Sequence, residues 1–275
     1  MNDRLERSIV RSVVNDPAIS SNEIASQIPD CNLSARTIRQ VLFNRGLKSY
    51  VAKSKPLLNR KMIKSRIQFC KKYKNESEDF WKRVIYADES YIQIDPNSII
   101  NRIRRTRLSD PHDSRFTRKT TKFPYKLMIW GCFNHDKIGP YTICEGSMTG
   151  KKYVDVLEEN LKPFANNLNL TGSILLDDSA RPHRTKEVDE WLQKNEMTRI
   201  DWPGNSPDLN PIENLWGIVK SKLRRTPIFN KTQLLKKFKE IWTNQLSNDL
   251  LANLSNSMPK RISEVLKNKG KITKY

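Results

Sequence analysis

Three acidic residues stand where a carboxylate can do chemistry. Asp88 closes the apolar run Val84-Ile-Tyr-Ala, Asp178 follows Ile174-Leu-Leu-Asp177, and Glu213 opens a helix in Asn210-Pro-Ile-Glu213. Carboxylates gathered from distant segments can hold hard divalent cations such as Mg²⁺ or Mn²⁺, which prefer oxygen ligands. Two such ions about 3.5–4 Å apart can drive an in-line displacement at a phosphodiester. Asp88, Asp178 and Glu213 are therefore the candidate catalytic residues and the candidate metal ligands, for two ions per site.

Each residue also has a plainer reading. Asp88 at a strand end is a common turn residue. Asn210 can cap a helix, Pro211 suits its first position, and Glu213 then sits third in a capping box, which it can do while also serving the site. Glu89 and Asp177 neighbour the candidates in sequence, but strand alternation sends them to the opposite face. Asp208 reads as a turn or cap residue.

The rest of the chain says whose phosphates are at stake. The 275 residues carry a net charge of +20 and a pI near 9.9. Such an imbalance calls for a polyanionic partner, with double-stranded DNA first. The rival is a membrane surface, but no apolar run approaches the ~18 residues a span needs. The charged start Met1-Asn-Asp-Arg-Leu-Glu-Arg lacks the apolar core of a signal peptide. Four scattered cysteines and three scattered histidines offer neither a disulfide framework nor a zinc pattern.

Three kinds of element must position these groups. Residues 1–46 read as three short helices. Leu5, Ile9, Val10, Val13 and Val14 form an apolar stripe, Ser20-Ser-Asn-Glu23 is a capping box, and Ser34 can cap a third helix that Gly46 ends. In that helix Ile38, Val41 and Leu42 face inward, while Arg36, Arg39 and Gln40 point elsewhere. This fits a helix-turn-helix DNA reader, against the plainer alternative of a three-helix bundle with a solvated face.

Residues 47–78 form a basic connector, with ten cations and no acid between 47 and 75. Lys53, Lys55, Arg60, Lys61 and Lys64 are its candidate phosphate contacts. The same run fits a nuclear-import patch, so the expected location is the nucleus. Residues 79–275 alternate strands and helices, which argues for an α/β domain with a mixed sheet flanked by helices. Val84 to Asp88 is expected as one strand, with Tyr91 to Ile94 as its hairpin partner. Residues 101–126 are basic and irregular.

Four strings resemble the mariner superfamily of DNA transposases, in its nematode-type branch. Trp81-Lys-Arg-Val-Ile-Tyr-Ala-Asp88-Glu-Ser resembles the first catalytic block, and Met128-Ile-Trp-Gly-Cys-Phe133 the central strand. Asp178-Ser-Ala-Arg-Pro-His183 is similar to the second block. Trp202-Pro-Gly-Asn-Ser-Pro-Asp-Leu-Asn-Pro-Ile-Glu213-Asn-Leu-Trp216 resembles the third nearly residue for residue. The 34 residues between Asp178 and Glu213, and the step of five from Asp178 to His183, match the family and favour Asp178 over Asp177. His183 matches a family position that is not a metal ligand. Ser179 stands where the family has Asn.

The resemblance implies an RNase H-like catalytic domain with an Asp-Asp-Glu triad, behind helix-turn-helix DNA binding. It implies cleavage at transposon ends, transfer of the freed 3′-hydroxyl into a TA target, and a homodimer that cuts two inverted-repeat ends together. In the family the stretch corresponding to 101–126 clamps the partner subunit; here it lacks the usual Trp. The family carries two helix-turn-helix units, and this chain starts at what resembles the second. An alternative therefore stands beside the transposase: a transposase-derived DNA-binding protein that no longer transposes.

Overall fold

The computed structural model describes residues 3–28, 33–50, 56–94, 125–168, 172–226 and 228–275, together with residue 110. The chain forms two compact units, Met1–Lys55 and Pro56–Tyr275.

The first unit holds α1 (Asp3–Asn15), α2 (Ser21–Gln27) and α3 (Ala35–Asn44) around Ile9, Ile24, Ile38 and Val41. The Ser20 hydroxyl accepts from the Glu23 amide, and the Glu23 carboxylate accepts from the Ser20 amide, so the expected capping box is present. Ser34 caps α3 through the Thr37 amide. Gly46 takes φ +77°, and the Leu47 amide closes back on the Leu42 carbonyl, a glycine-terminated helix end. Val14 does not join the core; its side chain is 67% exposed.

The second unit is built on a five-stranded mixed sheet in the order β3-β2-β1-β4-β5. Its elements are α4 (Arg60–Tyr73), α5 (Glu78–Lys82), β1 (Val84–Ile94), β2 (Tyr125–Phe133) and β3 (Ile138–Cys144). Then come α6 (Gly150–Val156), a π-helical turn (Leu157–Leu161) and α7 (Lys162–Asn167). They are followed by β4 (Ile174–Leu176), α8 (Lys186–Lys194), β5 (Thr198–Arg199), α9 (Pro211–Arg224), α10 (Lys231–Asn244), α11 (Asn248–Asn256) and α12 (Met258–Lys267). β1 pairs antiparallel with β2 and parallel with β4.

One expectation is corrected here. Val84 to Ile94 is a single strand, not a hairpin. Glu89-Ser90 offers no turn residue, and the alternation simply continues, with Ser90 and Ile92 buried and Tyr91 and Gln93 exposed.

Helices cover both faces. Tyr86, Ile129, Trp216, Val219 and Trp242 belong to the core on the α9–α12 side, whereas Ile85, Trp130, Tyr153, Leu161 and Trp191 belong to the core under α6–α8. Gly131 lies opposite Asp88 in the β1–β2 register. A Cβ there would come within 2.8 Å of Trp242 and 3.0 Å of Trp216, two indoles stacked 5.0 Å apart. The glycine lets α9 and α10 approach the sheet beside Asp88.

Candidate active site

Three elements meet at one open cavity of about 460 Å³. Asp88 comes from β1, Asp178 from the loop after β4 and Glu213 from the first turn of α9, and all three line it. Pro56 and Met62, just before and within α4, form another part of the wall.

Local bonds aim each carboxylate. The Ala180 amide donates to Asp178 Oδ1 at 2.8 Å. At the start of α9 the Asn210 side chain accepts from the Ile212 amide, and the Asn210 amide donates to the Pro207 carbonyl. The expected capping box is therefore not formed. The Glu213 carboxylate is not spent on the helix end and faces the cavity.

Electrostatics make the group interdependent. Burial raises the Asp88 carboxyl well above its usual range, and the charges of Glu213, Glu89 and Asp178 raise it further. Burial also raises Glu213; Lys220 opposes this and Asp178 adds to it. Asp178 lies below its usual range: burial works against its charge, but His183, the Ala180 amide and Arg184 outweigh it. Asp88 and Glu213 thus share a site where negative charge is costly until a cation arrives. The donors are all carboxylate oxygens, which suits Mg²⁺ or Mn²⁺. Among the described residues no three acidic, His or Cys side chains lie close enough together to hold a metal ion as they stand. The carboxylates rim an open cavity instead, which leaves room for a phosphate.

A second set of groups lies behind the first and was not foreseen. His183 is buried, with Nδ1 2.8 Å from Asp178 Oδ1 and Nε2 3.2 Å from Glu89 Oε1. The Nδ1 contact is an ion pair and not an aligned hydrogen bond. The ring stacks on Tyr153 at 3.9 Å. Burial disfavours its charge, yet the two carboxylates hold the proton and raise the ring to about 10. Asp177, just past the end of β4, does not line the cavity and is buried. It accepts from Tyr153 Oη at 2.9 Å and from Arg184 Nη1 at 2.8 Å. The sequence signal for this set was the pair Asp88-Glu89: adjacent acids on a strand serve both faces.

A buried network anchors the loop leading into α9. Arg66 meets Asp208 through two bonds of 2.8 Å, with both side chains almost fully buried. Asp208 also accepts from the Thr273 amide and hydroxyl, and Arg66 Nε donates to the Gly270 carbonyl. Arg261 donates to the Asp208 carbonyl and to Asn214 Oδ1. Arg66 is thus not one of the free cations of the basic stretch. Asp208 does sit in a turn, as expected, and its side chain is in addition the buried partner of Arg66.

The candidate DNA contacts divide between the units. Arg36, Arg39 and Gln40 are exposed on α3, and Arg60, Lys61 and Lys64 are exposed on α4. Lys53 and Lys55 lie outside the described residues, as does most of the basic stretch 101–126. Cys70, Cys132 and Cys144 are free thiols, and among the described residues no helix is long and apolar enough to cross a membrane.

Residues 6–75 match a family described as transposase, and residues 83–236 match one described as DDE superfamily endonuclease. The second match spans more than half of the chain and contains all three cavity carboxylates. The chain belongs to the Tc1/mariner family of transposases. Among its Tc1/mariner relatives is the Tcb1 transposase of Caenorhabditis briggsae, 30% identical over 98% of this chain and 100% of that protein. The Tc1 transposase of Caenorhabditis elegans is 28% identical over 98% and 100%. The fold is that of Mos1 transposase: the Mos1 mariner paired end complex with Mg aligns at TM-score 0.75 and 19% identity, covering 98% of this chain and 80% of that one. The Mos1 strand transfer complex aligns at 0.73 and 20%, covering 97% and 78%. The mixed sheet and its helices therefore form an RNase H-like domain behind a helix-turn-helix region.

Proposed function

We propose that this Tc1/mariner transposase cuts DNA at its element's ends and joins the freed 3′-hydroxyl to a TA target, with Asp88, Asp178 and Glu213 as its metal-holding catalytic residues. The observation that carries the reading is the convergence of three carboxylates from three segments on one open cavity. Two divalent ions, Mg²⁺ or Mn²⁺, would supply Lewis-acid stabilisation of the attacking and leaving oxygens when bound there.

The chain's own residues do the rest. His183 keeps Asp178 ionised and fixes its direction. The Ala180 amide holds the same carboxylate from the other side. Asp88 is buried on the central strand, and the Arg66–Asp208 network sets the loop that delivers Glu213. The walls at Met62 and Trp202 shield one side of the cavity from water. One site serves two reactions in turn, hydrolysis with water as nucleophile and strand transfer with the 3′-hydroxyl.

Arg36, Arg39 and Gln40 on α3 are placed to meet a DNA groove, and Arg60, Lys61 and Lys64, with Lys53 and Lys55, to neutralise phosphates. Mos1 transposase forms a paired-end complex with a left transposon end, and its paired end complex is solved with Mg and with Mn. By analogy the working form here is a homodimer holding two inverted-repeat ends in the nucleus. The test is Asp178→Asn. It is expected to abolish Mg²⁺-dependent cleavage while DNA affinity stays near that of the unaltered chain. Undiminished cleavage would remove Asp178 from the site.

A further inference from the structure

The exposed face of α9 is organised beyond Glu213. Gly217, Lys220 and Arg224 follow it at steps of four, three and four residues, so all four share one stripe of the helix. Glu213, Gly217 and Arg224 are exposed and Lys220 is half-buried. Glycine inside a helix costs about 1 kcal/mol relative to alanine. Nothing within the fold asks for it at 217: its backbone is not in the left-handed region, and an added Cβ would meet no atom within 4 Å. Gly131, by contrast, is demanded by two indoles. The missing side chain at 217 clears space on the outside of the molecule only.

The two cations beyond that gap make no short side-chain contact, although the charge of Lys220 is felt at Glu213. Among the described residues neither Lys220 nor Arg224 makes an ion pair or hydrogen bond. Other cations of the unit are engaged, such as Arg199 on Asp189, Lys162 on Glu158 and Lys237 on Glu240. Lys220 stands about 10 Å along the helix from Glu213, or about three nucleotide steps of a B-form strand.

We infer that this stripe is a backbone track: the strand being cut leaves the cavity over Gly217, and Lys220 holds a phosphate about three nucleotides from the scissile one. Gly217 lets sugar and phosphate approach the helix without a side chain in the way. Arg224 extends the track by one further turn. The inference rests on Glu213 belonging to the catalytic site, as proposed above, and it adds a substrate-binding role that no carboxylate supplies. Specificity is not implied, because phosphate contacts position a strand without reading it.

The test uses the full chain with Lys220→Ala, Gly217→Glu and, as a control, Lys239→Ala, an exposed cation on α10. The probes are Mn²⁺-dependent nicking of a supercoiled plasmid and binding of a 30-base-pair duplex across a salt series. Lys220→Ala is expected to raise KM for nicking about fivefold and to flatten the log–log salt slope of duplex binding by about one, a readout that the effect of Lys220 on Glu213 does not move. Gly217→Glu is expected to weaken binding at least as much while the melting temperature holds or rises, since any residue but proline favours the helix over glycine. The track is overturned if both variants match the unaltered chain or the Lys239→Ala control. A failure of the catalytic reading looks different: nicking would then be the same with and without Asp178→Asn, and the salt slopes would still decide the track.

Discussion

Removing the Asp208 carboxylate should cost far more than its place in a loop suggests. In Asp208→Ala the Arg66 guanidinium stays buried with its counter-charge gone, and the Thr273 amide and hydroxyl lose their acceptor. Burial works against the charge on Asp208, but Arg66 and Thr273 outweigh it and hold the carboxyl below its usual range, so the native pair is ionised. Breaking such a pair from one side costs about 3–5 kcal/mol. For a unit of this size each kcal/mol moves the melting temperature by about 2–4 °C, so the expected drop is about 6–20 °C. The assay is thermal unfolding of the full chain, beside a double variant, Arg66→Met with Asp208→Leu. Replacing both partners by apolar residues removes the stranded charge, so the double variant should be several kcal/mol more stable than Asp208→Ala. A shift below about 2 °C for Asp208→Ala, or a double variant as unstable as the single one, would refute the electrostatic account of this network.

Two further outcomes follow from the same packing. The His183 ring, raised to about 10 from an unfolded value near 6.5, binds its proton more tightly when folded. Its stabilisation is therefore complete below about pH 6.5, declines across 6.5 to 10, and is gone above. Urea midpoints of the metal-free chain should fall across that window and flatten in His183→Gln; parallel curves would rule out the bridging imidazolium. Gly131→Ala should destabilise by about 1–3 kcal/mol through overpacking against Trp242 and Trp216. An unchanged denaturant midpoint would show that the indoles have room to move.

Local chemistry was legible in the sequence, and distant partners were not. Ser20 and Ser34 announce their helices because a cap is made with residues two or three positions away. The opening of α9 by Asn210-Pro211 is legible for the same reason. The capping box at Glu213 was misread because the Asn210 amide turns back to Pro207, and no residue type signals that choice. The continuation of β1 past Asp88 was hidden by a short polar step, Glu89-Ser90, whose role depends on β2 lying alongside. Arg66 looked like one more cation in a basic run. Its partner is 142 residues away, and burial of a charge is invisible until the partner is in place. The site follows this division: the strand-end and helix-start positions of its acids could be read, while the His183–Glu89 contact behind them could not.

The Arg66–Asp208 network also has an order in time. The loop that delivers Glu213 is held by donors from Arg66 on α4, Arg261 on α12 and Thr273, while the Gly270 carbonyl accepts from Arg66. Proteins are made from the N-terminus, and early domains fold as they emerge. The first unit, with its own core, can fold on the ribosome while the third carboxylate still hangs on an unanchored loop. If the chain acts as proposed, the first unit could meet DNA before the site can cut it, because the loop carrying Glu213 is anchored only once Gly270 and Thr273 have been made.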